Sequence, residues 1–369
     1  MTMTTLEPTL DQEFRSITNQ FADSCDDTLL AVELDAIANR IRKDLGADDA
    51  LYIHRMIAIQ RRLDLAGRVA LAGGFVPPLW FAGVTMLGAA KILENMEIGH
   101  NVMHGQWDWM RDPNIHSTTW EWDNACPSSQ WKHSHNYLHH QWTNVLGMDR
   151  DVGYGLMRVN DEQKWRPKHR FQPASFIGLA LLFQYGVALH DIDAGLDGFE
   201  RAEPAEITRK LKEVGTKIVR QATKDYLLWP ALAAPLGPLS VVSMATGAVA
   251  ANLIRNVWSF AVIFCGHFPD NTHVFTKEEV EHESRGAWYR RQILGSANFT
   301  GGRLTDIMSG NLNHQIEHHL FPDLPSNRYA EIAPEVQAIC QRHGLPYNTG
   351  SMRDQFTSVI RKVMSLRKP

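Results

Sequence analysis

The sequence predicts an all-α integral membrane protein: about four transmembrane helices in two hairpins, under a cytoplasmic helical cap that carries clustered histidines. Three observations predict it. Two long apolar regions are each interrupted by a Gly/Pro turn. Both turns are free of charge, whereas the flanking segments are rich in Lys and Arg. Finally, eight of the 17 histidines fall into three tight clusters that precede or follow the apolar hairpins.

Residues 1–50 read as a polar region. Within it, Leu29, Leu30, Val32, Leu34, Ile37 and Ile41 have helical spacing, which predicts an amphipathic helix over Thr28–Leu45. The first hairpin has arms near 57–72 and 79–98, separated by Gly73-Gly74-Phe75-Val76-Pro77-Pro78. Its first arm is short and burdened by Arg61, Arg62 and Arg68. The second hairpin has arms near 226–243 and 246–266, with a break at Pro235-Leu236-Gly237-Pro238. A spanning helix needs about 20 apolar residues, so the second arms qualify and the first arms are marginal. Basic residues before Ile57, around Lys164–Arg170, over Arg201–Lys224 and after Lys277 place these segments and both chain ends in the cytoplasm. A fifth apolar stretch, 173–190, is then an interfacial or cap-buried helix, because a crossing there would export the basic 201–224 segment. The main domain is expected over residues 51–350, with 351–369 as a C-terminal tail.

Composition narrows the function. A net charge of -4 and the lack of a basic stripe argue against nucleic-acid binding. The four cysteines (Cys25, Cys126, Cys265, Cys340) are far apart and form no C-x-x-C pair, which fits a reducing compartment. The N-terminus has neither the basic region nor the apolar core of a cleaved signal peptide. Mean hydropathy is -0.27, an average that hides the local apolar runs.

The histidines carry the chemistry. His100 and His104 stand at i, i+4 in GHNVMH. His135, His139 and His140 form H-x-x-x-H-H in HSHNYLHH, and His314, His318 and His319 repeat that pattern in NHQIEHH. On a helix, i and i+4 share a face and i+5 is turned by about 100°, so one such box can serve two metals. Eight imidazoles would serve two ions at about four each. Imidazole suits iron, and a neutral ligand set spares a membrane-side site the cost of buried carboxylates.

Together with LGMDRDVGYG, NVWSFAVIFCGHFPD and HHLFPDLPSNR, these boxes resemble the membrane fatty acid desaturase superfamily. Within it the likeness is greatest to the mycobacterial-type acyl-CoA Δ9 (stearoyl-CoA) branch. It covers roughly residues 51–350. The resemblance implies an oxygen-dependent desaturase that uses two iron ions and O2 to place a cis double bond in a long-chain acyl thioester. It also implies His267, in FCGHFPD, as a ninth ligand. Two features depart from the family pattern. The second box has one extra spacer residue. The third reads either from His314 or, as in front-end (Δ6/Δ5) desaturases, from Gln315; His314 is preferred because an amide binds iron poorly.

Metal-bound imidazoles usually donate their second N–H to an acceptor, and Glu97, Asp149, Asp151 and Glu317 are the candidates. Trp107, Trp109 and Trp131 are candidate linings of an acyl tunnel; the alternative is an interfacial aromatic belt. Arg158, Lys164, Arg166, Lys168 and Arg170 face an anionic leaflet or a coenzyme A phosphate. No nucleotide-binding, iron–sulfur or cytochrome b5 motif is present in the chain. Electrons are therefore expected from a separate NAD(P)H-dependent reductase or a ferredoxin. Rival readings are a hydroxylase with the same centre, a ferritin-like di-iron protein and a membrane metal transporter.

Overall fold

The computed structural model describes residues 25–74, 76–192 and 202–369. Residues 1–24 of the polar N-terminal region, Phe75 of the first turn and Arg201 of the basic segment lie outside the described residues. The described chain is mostly helical.

Helix α1 (Asp27–Asp44) is started by Asp26, whose side chain accepts from the Thr28 and Leu29 amides. It buries Leu30, Leu34, Ile37 and Ile41 of the apolar run, whereas Leu29 and Val32 of the same run are exposed. The first hairpin pairs α2 (Ala47–Ala72) with α3 (77–103), the latter built from Pro77–Ile92, a wider π-helical stretch Leu93–His100, and Asn101–Met103. Both arms are longer than the apolar runs alone suggest, because the ends far from the Gly/Pro turn carry polar residues while remaining helical. The arms touch closely at glycine: a Cβ on Gly67 would lie 2.8 Å from the Leu87 amide nitrogen.

The second box forms α4 (128–142), again with a π-helical centre, Lys132–His139. The 173–190 stretch is not one helix. It breaks into α5 (Gln172–Leu181) and α6 (Phe183–Leu189), bent by 96° when the preceding Pro167–Phe171 turn is included. The second hairpin begins much earlier than expected. Helix α7 (204–236) runs through Pro204–Ala222, Thr223–Leu228, Trp229–Ala233 and Ala234–Leu236, and turns at Gly237 with φ 107°. Helix α8 (Pro238–His267) then returns unbroken for 30 residues. The expected boundary at 243–246 is thus corrected: Ser243-Met244-Ala245-Thr246 contains no breaker, whereas Pro235, Gly237 and Pro238 do.

The cap consists of α9 (Arg285–Leu294), β1 (Asn298–Thr300), α10 (Arg303–Ser309), α11 (Gln315–Leu320), α12 (Tyr329–Arg342), β2 (Thr349–Ser351) and α13 (Met352–Ser365). The two short strands pair in parallel. The segment expected as a tail is therefore mostly ordered helix: Val359 and Val363 of α13 pack with Phe176, Phe260 and Phe264 of α5 and α8. Helix α1 joins the cap core against Tyr289, Ile316 and Tyr329.

Among the described residues, α8 is the single helix long and apolar enough to cross a membrane by itself, and the bent 167–189 pair passes the same test as a unit. Large apolar side chains are exposed along both hairpins, among them Leu65, Val69, Phe81, Leu232, Leu239 and Val242. Inside the hairpins the residues are unexpectedly ionic. Asp225 is fully buried and accepts from Lys91 Nζ (2.7 Å), Arg68 Nη2 (3.2 Å) and Asn252 Nδ2 (3.2 Å).

Candidate metal centre

Three boxes and the end of α8 converge where the hairpins meet the cap. The ligand-capable atoms of His100, His104, His135 and His318 all lie within 4.8 Å of one another. Those of His139, His267 and His319 form a second such group. His140 sits between the two, its ring centroid 4.6 Å from those of both His104 and His319. In the second box the division departs from α-helical phase: His135 and His139, at i and i+4, fall in different all-histidine groups, although the Nδ1 atoms of both also lie near Asp151. In the third box the neighbours His318 and His319 separate, as a step of about 100° per residue gives.

Outer partners fix which nitrogen faces inward. His139 Nδ1 lies 2.9 and 3.0 Å from the Asp149 carboxylate oxygens. His267 Nδ1 donates to the Ile263 carbonyl at 2.8 Å. His319 Nδ1 is 3.0 Å from Gln292 Oε1 and 3.1 Å from Thr143 Oγ1. His100 Nδ1 faces Asn101 Oδ1 at 2.9 Å, and His318 Nδ1 faces the Tyr329 hydroxyl at 3.3 Å. With the proton held on Nδ1, each ring aims an Nε2 lone pair inward. His267 Nε2 is 3.0 Å from both His139 Nε2 and His319 Nε2. Lone pairs meeting at that distance repel unless a cation lies among them, and two metal–imidazole bonds of about 2.1 Å at a right angle would put their nitrogens about 3.0 Å apart. Nε2 of His100, His104, His135, His140 and His318 is buried without any hydrogen-bond partner, a costly state for so many polar atoms in one place. These orphaned donors fit a metal-binding site.

Charge agrees. Burial, reinforced by the neighbouring histidines, holds His104, His140, His318 and His319 well below the ordinary imidazole range, so they are neutral and able to ligate. His139 is the exception: burial pulls it down, but Asp149 and Asp151 outweigh that and lift it to about 9. A cation at the centre would take the place of that proton.

Not every expected residue reaches the site. His314 is the N-cap of α11, its Nε2 4.0 Å from Asp306 and away from both groups. The helix starts one residue later, and Gln315 turns inward instead, its Nε2 3.5 Å from His267 Nε2. Asp149 touches His139 directly, and Asp151 lies 3.5 Å from His135 Nδ1. Glu97 and Glu317 touch no histidine. Glu97 accepts from Tyr52, Asn311 and Ser326, and Glu317 from Asn298 and Tyr347. Both lock the backbones that carry the boxes. Sequence reasoning missed Asn101, Thr143, Gln292 and Tyr329, for which no local pattern exists. It also missed His190, whose Nε2 is 3.1 Å from Asp151.

A cavity opens beside His100 and His135. Trp131 lines it and stacks on His135 at 4.5 Å. Trp107 does not: it is fully buried against Tyr52, Ile53 and Val102. Trp109 lies near the surface at 37% exposure, outside the cavity wall. Trp122, by contrast, does line it. Arg158 and Lys168 donate to backbone carbonyls of Gln163 and Gly155, so neither is displayed as a simple phosphate hook.

Comparison with known proteins matches this arrangement to a family. Residues 76–351 match the family model described as fatty acid desaturase. The chain is 50% identical over 340 residues to the NADPH-dependent stearoyl-CoA 9-desaturase of Mycobacterium tuberculosis, covering 92% of this chain and 80% of that protein. It is 26% identical over 279 residues to the sn-1 linoleoyl-lipid 6-desaturase of a Synechocystis strain, covering 73% and 75% respectively. A shorter match, 32% over 120 residues, is to human fatty acid desaturase 3, covering 32% of this chain and 24% of that protein. The converging imidazoles and the extent of these matches lead to one conclusion: the chain belongs to the fatty acid desaturase family.

Proposed function

We propose that this protein places a cis double bond at C9 of a long-chain acyl-CoA, with residues 51–350 as the desaturase domain. The observation that carries this reading is the pair of inward-facing Nε2 groups beside a mostly apolar cavity. His100, His104, His135 and His318 would hold one iron ion. His139, His267 and His319 would hold the second, with His140 and Gln315 alongside. When bound, the iron pair supplies reduction of O2 and removal of two hydrogens from adjacent methylenes.

The protein's own residues do the rest. Asp149 and Asp151 keep the proton on the outer nitrogen of His139 and His135. Trp131 walls the cavity at the histidines and limits water there. Exposed apolar side chains on both hairpins support four membrane spans, and the basic flanks support a centre facing the cytoplasm. A separate reductase or ferredoxin would dock on that side. Its electrons come ultimately from NADPH, by analogy with the M. tuberculosis relative.

A second reading is favoured by one observation. The inward turn of Gln315 gives the third box the front-end form, and a linoleoyl-lipid 6-desaturase is among the relatives. Expression in a host lacking its own desaturase, with a compatible reductase, separates the readings. A Δ9 monoene is the expected product, located by mass spectrometry. A Δ6 product would select the second reading, and a hydroxylated chain would overturn both.

The third box has its own test. His314→Ala is expected to leave iron content near wild type, because its ring lies outside both groups. Loss of iron in His314→Ala, with none in Gln315→Ala, would restore the assignment made from spacing alone.

A further inference from the structure

The cavity runs away from the histidines along three helices at once. On α8 the lining face is Ile263, Ser259, Asn256 and Arg255; from His190, just after α6, it passes through Val187 to Gln184; on α3 it descends from His100 to Asn95. Arg255 is 12 residues before His267, so it lies about 18 Å farther along the helix axis. The cavity therefore has a metal end and a far end, and the far end is polar.

That polar end is closed. Arg255 is 1% exposed, and its guanidinium is held by four protein acceptors. Nη2 donates to Gln184 Oε1 (2.5 Å) and Asn252 Oδ1 (3.2 Å), Nε to Asn256 Oδ1 (3.1 Å), and Nη1 to the Asp123 carbonyl (3.3 Å). Asn124 donates to Asn95 Oδ1 at 2.6 Å, and Asn256 to the Leu181 carbonyl at 2.7 Å. A wall whose donors and acceptors satisfy one another gives nothing to an incoming polar headgroup, and moving it means unpairing a buried cation. On the outer side of α8 at this level, Leu253, Ile254 and Val257 are exposed and apolar. The closed wall leaves no opening through which a bulky carrier could pass at this end, so the end of the chain that reaches the floor is the methyl end.

We propose that the Arg255–Gln184 pair is the floor of the acyl cavity and sets how many carbons fit beyond the oxidised position. This rests on the desaturase reading. Ser259 sits one turn above Arg255, lines the cavity and has a buried hydroxyl with no partner. Its small size leaves room for the chain just above the floor. A bulky residue there raises the floor. Removing Gln184 frees one side of the guanidinium and loosens it.

The test is to express wild type, Ser259→Phe and Gln184→Ala in the desaturase-deficient host, supply saturated acids from fourteen to twenty carbons, and measure the lengths of the unsaturated products. Ser259→Phe is expected to lower the ratio of longer to shorter products about tenfold or more, the discrimination typical of a methylene or two in an apolar pocket. Gln184→Ala is expected to shift the ratio the other way. Should Ser259→Phe fail to accumulate in membranes, Ser259→Val provides a smaller step in the same direction. Wild-type length profiles in both the residue-259 variant and Gln184→Ala would overturn the proposal. Absence of any unsaturated product from wild type would instead overturn the desaturase reading beneath it.

Discussion

Replacing His318 with alanine will strip the purified protein of much of its iron and reduce product formation to background. His318 contributes one of the four Nε2 atoms in the first group, and its ring lies 4.9 Å from that of His100 and 4.7 Å from those of His104 and His140. Alanine removes the donor and leaves a void inside a mostly buried cluster. Loss of an outer partner alone typically costs about 10–100-fold in metal affinity, and loss of a ligand costs more. The Tyr329 hydroxyl, which faces His318 Nδ1, also loses a partner, so folding is to be checked by the thermal transition in detergent. The matched control is His282→Ala. That side chain is 92% exposed and far from any cluster, and its removal is expected to change neither iron nor activity. Iron per chain by elemental analysis and product by mass spectrometry decide the matter. A His318→Ala protein with full iron and normal turnover would remove this residue from the centre.

Much of that site was legible in the sequence because histidine is rare and its spacing is informative. Eight inward-facing histidines of the expected nine converge. The failure at His314 has a local cause. Helix α11 begins only at Gln315, so His314 is its cap and lacks the helical phase that would align it with His318. Box spacing alone cannot show where a helix starts. Nor can spacing show a π-helical stretch. Two of the three boxes lie in or against one, at Leu93–His100 and Lys132–His139, and that wider turn accompanies the division of His135 and His139 between groups. Asp149 and Asp151 were visible because acids follow the second box closely. Thr143 and Gln292 were not, since each reaches His319 across a long stretch of chain and neither has a distinctive type. Trp107 and Trp109 were grouped with Trp131 by proximity in sequence, but only packing distinguishes a core tryptophan from one that lines a cavity.

The hairpins hold the second large effect. Asp225→Ala is expected to destabilise the protein by about 3 kcal/mol, the low end of the cost of breaking a buried ion pair. Asp225 is fully buried and joins Arg68 of α2, Lys91 of α3 and Asn252 of α8 to its own helix α7. One carboxylate thus ties four helices, two of which end in histidine ligands. Without it, Arg68 keeps Asp64 at 3.0 Å and Lys91 keeps Asp123 at 3.5 Å, which limits the loss. Neither remaining pair links the two hairpins as Asp225 does, so they would be freer to shift, and iron retention on heating is expected to fall together with the melting temperature in detergent. An apolar replacement of the whole group, Arg68→Met with Lys91→Met and Asp225→Leu, removes the stranded cations and is expected to recover much of the stability. Equal melting temperatures for wild type and Asp225→Ala would show that the helices are held by apolar packing alone. A fall in the single variant that the triple variant reverses would locate the cost in unpaired buried charge.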